Sequence, residues 1–419
     1  MPSSIPEPVR LLQHRAFRAF WFSRNASSFG FQMMSVAVGW QIYAMTGRAL
    51  DLGLIGLVQF IPSVVLALPA GHVADQFDRR RIVAVCQAIE CLAIVLLAAF
   101  GASGHLAEVG ILAIVFCVGV AKAFEYPAMS AMLPSLVPGS VLPRAMALTS
   151  SAGQAAMIVG PALGGLLYIA GPSTVYGVSA LLYAAAVVLT TRLAYDHIAP
   201  RRVPATLKTV FAGVHFIRHR PAVLGVISLD LFAVLLGGAT ALLPIFAHDI
   251  LHTGPWGLGL LRAAPAVGAL LMSLWLAHNT LERRVGPIMF ASVAGFGVST
   301  LVFAVSTSLW LSIGALFALG AFDMVSMVIR GALVQLDTPD DMRGRVSAVN
   351  AIFINTSNQL GEFESGILAA AMGAVNATLL GGIGTLVVVA LWMWWFPSLR
   401  HRQGLVSEPG PVEGASGTT

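Results

Sequence analysis

Seven ionisable side chains, Arg24, Lys122, Glu125, Asp230, Asp323, Glu362 and Glu364, lie inside stretches otherwise built from apolar and small residues. A charge in hydrocarbon costs several kcal/mol unless it meets an opposite charge or a water-filled cavity, so such residues mark ion pathways, substrate sites and proton relays. Counting the rise per residue from the ends of their stretches, Arg24, Lys122, Asp230 and Asp323 fall roughly 6–14 Å from the same membrane face and form one layer. Glu125, three residues after Lys122, shares its helix face and is placed to pair with it. Asp230, a carboxylate in a wholly apolar helix, is the leading proton carrier, with Arg24 as the nearest cation of the layer. The competing reading is a set of static ion pairs that fix helix registry. Glu90 has no nameable partner and reads as structural, whereas Arg262 reads equally as a gate charge or as a side chain snorkelling to the surface.

Glu362 and Glu364 belong to "SNQLGEFESG", residues 357–366. At about 100° per residue, Gly361 and Ser365 form a close-packing face flanked by the two glutamates on opposite sides. Glu362 shares its side with Asn355 and Asn358, which reads as cavity lining, and Glu364 shares an apolar side with Ser357, Leu360 and Ala371.

The elements that must hold these residues follow from composition. Of 419 residues, 57% are hydrophobic and 10% charged, and the mean hydropathy is +0.83; soluble chains carry roughly 25% charged residues. This is the composition of an integral membrane protein whose surroundings are the lipid bilayer. A span needs about 20 apolar residues, and twelve stretches qualify, at about 20–45, 52–74, 82–103, 109–133, 145–170, 174–195, 221–247, 256–278, 287–305, 309–333, 347–372 and 375–397. The expected fold is an all-α membrane protein of twelve transmembrane helices in two pseudo-symmetric six-helix bundles. Its divisions are a cytoplasmic segment 1–19, a first bundle 20–195, a basic linker 196–220 with an amphipathic helix, a second bundle 221–398 and a disordered tail 399–419.

A repeat supports the two-bundle expectation. A shift of 201 residues lays Pro138 on Pro339, Arg144 on Arg345, Gly160 on Gly361 and Gly165 on Gly366. It also lays Lys122 on Asp323, so the halves present opposite charges at equivalent places, and it sets Glu362 and Glu364 where the first copy has Pro161 and Leu163. An even number of spans in each copy gives both the same orientation.

Basic residues gather in alternate loops: Arg79, Arg80, Arg81, Arg144, Arg201, Arg202, Lys208, Arg218, Arg220, Arg283, Arg284, Arg343 and Arg345 share one side, and Arg48 is left on the other. By the positive-inside rule both termini are cytoplasmic, and the net charge of +5 reflects topology rather than nucleic-acid binding. Cys86, Cys91 and Cys117 show no metal or redox spacing. His248, Asp249 and His252 sit at a helix end with no fourth ligand, so no metal is expected. Neither a phosphate loop nor a nucleophile–base constellation appears, so no cofactor, ATP hydrolysis or enzymatic activity is expected.

Two motifs carry a family resemblance. "GHVADQFDRRR" (71–81) resembles the loop signature between spans 2 and 3 of the major facilitator superfamily, with Gly71, Asp75, Arg79 and Arg80 in place but Gln76 and Asp78 departing from it. "GQAAMIVGPALGG" (153–165) resembles the glycine-proline motif of that superfamily's antiporters through Gly160, Pro161, Gly164 and Gly165. "TPDDMRGRV" and "GEFESG" bring the chain nearest to the branch of siderophore exporters and macrolide efflux pumps. The resemblance implies a central cavity lined by spans 1, 4, 7 and 10, and a switch in which Asp75 meets the N-terminus of span 11. It implies a bacterial inner-membrane transporter that exports a small organic molecule against proton entry. Solute uptake, uniport and a transport-dead sensor or assembly partner stay open as alternatives.

Overall fold

The computed structural model describes residues 11–103, 107–193, 207–279 and 283–404, and all regular structure among them is helical. Arg10, Arg201, Arg202 and the tail beyond 404 lie outside the described residues. The helices are α1 (Arg15–Thr46), α2 (Ala49–Val65), α3 (Ala67–Gln76), α4 (Arg79–Ser103), α5 (Glu108–Leu136), α6 (Leu142–Leu167), α7 (Pro172–Thr191) and α8 (Leu207–Arg218). They continue as α9 (Pro221–Leu236), α10 (Leu243–Ile245), α11 (Pro255–His278), α12 (Val285–Val305), α13 (Leu309–Leu336), α14 (Asp340–Met372), α15 (Ala374–Trp395) and α16 (Pro397–Arg400).

Among the described residues nine helical segments are long and apolar enough to cross a membrane, and α2 with α3 makes a tenth across a 55° bend. Pro69 lies at that bend; a proline inside a helix removes a backbone donor and crowds the preceding turn. The segment Pro221–Ile250 is likewise irregular, passing from α9 through α10 into a π-helical turn at Phe246–Ile250. α1 and α14, at 32 and 33 residues, have the length to span. They are less apolar than the others because polar residues are spread along them: Arg15, Arg18, Arg24, Asn25, Gln32 and Gln41 in α1, and Asn350, Asn355, Asn358, Gln359, Glu362 and Glu364 in α14.

Packing divides unevenly along the molecule. At the arginine-poor end one apolar core runs through both parts of the chain, joining Met33, Val36, Ile94, Ile111 and Tyr183 with Phe246, Leu258, Leu261 and Leu316. At the arginine-rich end the cores are separate: one forms around Phe17, Phe20, Met129 and Met132, one around Met289, Phe290, Ile329 and Trp392, and one where α8 is seated through Ile217 against Val334 and Val346.

The shared end is sealed by glycine. A Cβ on Gly165 of α6 would stand 2.4 Å from the Pro255 carbonyl oxygen and 3.0 Å from Gly259 Cα of α11. A Cβ on Gly366 of α14 would stand 2.5 Å from Gly53 Cα of α2. Gly165 and Gly366 are the residues that the 201-residue shift superposes, so repeat-equivalent positions make equivalent seams.

Candidate functional site

Away from the sealed end, α1, α5 and α6 enclose a cavity of about 280 Å³, bordered by Arg24, Ser27, Gln32, Lys122, Glu125 and Tyr126. Lys122 is held on its inner wall: Nζ donates to Glu125 Oε2 at 2.5 Å and to Ser27 Oγ at 3.0 Å. Its ammonium also lies 5.4 Å from the Phe31 ring centre and 5.3 Å from that of Tyr183. Glu125 accepts from Ser27 Oγ at 3.1 Å and from Gln87 Nε2 at 3.0 Å. Behind Gln87, Thr190 donates to its Oε1 at 2.9 Å and Ser23 bridges α1, α4 and α7. Ser23, Ser27, Gln87, Lys122, Glu125 and Thr190 thus satisfy one another across α1, α4, α5 and α7, as low-dielectric surroundings require. Arg24 differs: among the described residues its side chain makes no ion pair or hydrogen bond, and it faces the cavity.

Glu90 of α4 requires a correction. It is fully buried and lies 3.3 Å from Lys122 Nζ, so it has a partner and belongs to the charge cluster. Lys122 consequently serves two carboxylates of its own half. Its ion pairs among the described residues are with Glu90 and Glu125, within its own half of the chain.

The second half holds a different arrangement. Asp230 of α9 forms an ion pair with Arg330 of α13, both buried. Arg330 takes the place the sequence gave to Arg24, and it was missed because it stands near the end of the tenth stretch, outside the four-residue layer. Asp323 and Asp230 border a small second cavity with Phe296, Phe322 and Ser326.

Glu362 packs on Gly56 of α2, whose added Cβ would meet its Cβ at 2.8 Å. Near it, Gln359 accepts from Ser63 Oγ of α2 at 2.9 Å. Arg262 of α11 is directed at the interior, with Nη2 3.5 Å from where a Gly39 Cβ would sit, which removes the snorkelling reading. Glu364 Oε2 is buried without a hydrogen-bond partner. Gly361 lies against the Val234 and Leu235 carbonyls of α9.

Of the expected switch residues, Gly160 and Gly164 receive Gln32 and Met33 of α1, and Gly259 approaches the Pro161 carbonyl. α6 runs through Pro161 without a break. Asp75 pairs with Arg79, four residues on, at 3.6 Å. Arg79 donates to the Ala74 and Ala131 carbonyls at 2.9 and 3.1 Å, and Arg80 to the Leu193 carbonyl at 3.0 Å, which fixes the loop onto α5 and the end of α7. Gly71 has open space around it. At the sealed end, Tyr43 donates to Asp249, whose other oxygen lies 2.5 Å from His248 Nδ1, tying α1 to the π-helical turn.

A multi-pass helical protein with bent and irregular helices, one end sealed around a shared core and a polar, charged cavity away from that end, has the architecture of a membrane transporter. The chain belongs to the transmembrane secretion effector family of the major facilitator superfamily, whose model matches residues 7–406; this is a family of transporters, not of enzymes. It is 27% identical over 409 residues to the enterobactin exporter EntS of Citrobacter koseri, covering 96% of each chain. Its fold resembles that of a mutant of the nucleoside transporter NupG, at a TM-score of 0.74, 12% identity and coverage of 91% of this chain and 100% of that one. It also resembles a bacterial homologue of the human lysosomal transporter Spinster in an inward-facing, occupied conformation, at a TM-score of 0.72 and 12% identity, covering 93% and 97%.

Proposed function

We propose that this protein exports a small organic molecule, siderophore or drug-like, across the bacterial inner membrane by alternating access coupled to proton entry. The observation that carries the reading is the cavity of about 280 Å³ into which Arg24 points, without a partner among the described residues, beside Lys122 and Glu125. An unpaired guanidinium in such a place is a ligand for oxygen-rich or anionic groups. The name of the Citrobacter koseri relative makes enterobactin the first substrate to test. In this reading twelve spans form two bundles, residues 20–195 and 221–398, joined by the linker 196–220, with the arginine-rich end and both termini in the cytoplasm. The positive-inside asymmetry supports that orientation, and the cavity then faces inward. Asp230, Asp323, Glu362 and Glu364 serve the second half of the translocation path, and Gly71, Asp75, Arg79, Arg80 and the glycines 160, 164 and 165 with Pro161 serve the change of access.

The test is efflux. Cells lacking the protein are expected to retain enterobactin that complemented cells release, and Arg24→Gln is expected to raise the concentration for half-maximal transport in proteoliposomes by about tenfold or more, the worth of one charge-assisted hydrogen bond. Equal release with and without the protein, and a purified protein that moves no enterobactin, would refute the reading.

A further inference from the structure

Lys122 answers two acids, and that count leaves a charge over. Glu90 and Glu125 carry one negative charge each and Lys122 one positive, so the three ion-paired groups sum to −1 when fully ionised; Arg24, on the same cavity, forms no ion pair with either acid among the described residues. The two acids are not equivalent. Glu125 borders the cavity and accepts from Lys122, Ser27 and Gln87. Glu90 has no exposed surface, neither oxygen has a hydrogen-bond partner, and its one ionic contact is Lys122 Nζ at 3.3 Å. The other titratable groups facing it are Glu125 across from it on α5, Tyr183 on α7 and Cys86 on its own helix. None of these adds a positive charge.

A buried carboxylate in this position is held at a cost of several kcal/mol unless neutralised. One proton removes the excess and leaves a neutral acid beside a complete Lys122–Glu125 pair. We infer that Glu90 is the proton-holding residue of this transporter, with Lys122 as the movable cation between it and the cavity. The exchange is written as follows. A substrate hydroxyl or amine that donates to Glu125 takes over part of what Lys122 supplies there; Lys122, which borders the cavity, gives one N–H proton to water there, turns to Glu90 and takes up the proton released as the Glu90 O–H bond breaks, so that one proton leaves and Lys122 ends as an ammonium paired with the Glu90 carboxylate. When the substrate departs, Lys122 returns to Glu125 and a proton is taken up on Glu90. Proton and substrate therefore exclude each other, which is what exchange in opposite directions needs. This inference rests on the export reading for its substrate step, but the protonation of Glu90 does not.

Two measurements separate the two. Infrared difference titration of the purified full-length protein in lipid, with no substrate, is expected to show a carboxyl C=O band that titrates with pH and to lose the intensity of one carboxyl in Glu90→Gln. A band unchanged in that variant overturns the inference, whatever the protein transports. In proteoliposomes, an imposed gradient of about one pH unit supports about tenfold accumulation per proton exchanged. Glu90→Gln is expected to reduce enterobactin accumulation to about onefold while slower exchange without a gradient persists; full tenfold accumulation in the variant overturns it. Absence of enterobactin transport by the unmodified protein refutes the substrate, and the infrared result still decides Glu90. Should Glu90→Gln not fold, Glu90→Asp keeps a carboxyl but withdraws it from Lys122 by about one bond length, 1.5 Å. Its band is expected at a displaced midpoint, and an unchanged midpoint counts against the inference.

Discussion

Substituting Gly165 by alanine places a methyl carbon 2.4 Å from the Pro255 carbonyl oxygen and 3.0 Å from the Gly259 Cα and N. All three are backbone atoms, so no side chain can turn aside; α6 and α11 must separate. Overpacking of a tight contact costs about 1–3 kcal/mol, and the penalty falls only on the conformation in which this end is sealed. Its equilibrium with a conformation open at the arginine-poor end therefore shifts by about 5–150-fold. The assay is the distance distribution between spin labels at Thr174 of α7, half-buried, and Trp310 of α13, exposed, both at that end, with Cys86, Cys91 and Cys117 replaced beforehand. Gly165→Ala is expected to populate a longer distance. Gly177→Ala on α7 is the control, since nothing lies within 4 Å of its added Cβ. An unaltered distribution in Gly165→Ala, or an equal change in Gly177→Ala, would refute the argument that glycine contact sets the access equilibrium.

Arg330→Met leaves Asp230 ionised and unpaired, and should cost about 3–5 kcal/mol of stability, read as an earlier thermal transition in detergent; adding Asp230→Asn should restore most of it. Because Lys122 pairs within its own half, reversing Lys122 and Asp323 together should rescue transport no better than either single reversal, and a clear rescue would restore the cross-repeat pair. Reporter fusions at Arg80 and Arg284 should signal the cytoplasm and fusions near Glu108, Gly171 and Thr253 the exterior; the opposite pattern would invert the direction of export.

The sequence by itself determined the medium, the helices and the charges that matter. Length and hydropathy admit little besides spanning helices, because a backbone in hydrocarbon must satisfy its own hydrogen bonds. The repeat located the glycine seams through Gly165 and Gly366, since a small residue is legible wherever it recurs. The partner of Glu90 was legible in principle. α4 and α5 form an antiparallel hairpin, and Glu90 stands 13 residues before Ser103 while Lys122 stands 14 after Glu108, which sets them at the same depth. The pairing of Asp230 with Arg330 was not, because α9 and α13 are remote in the chain and no local rule fixes which of their faces meet. Tertiary structure also decided the access state: the glycines occur at the seams in any conformation, but only packing closes one end around a shared core and leaves the other divided. Sequence sets the cost of each contact within a helix and its immediate neighbours, whereas the choice of partner for a buried charge is a comparison among distant helices that only the assembled bundle makes.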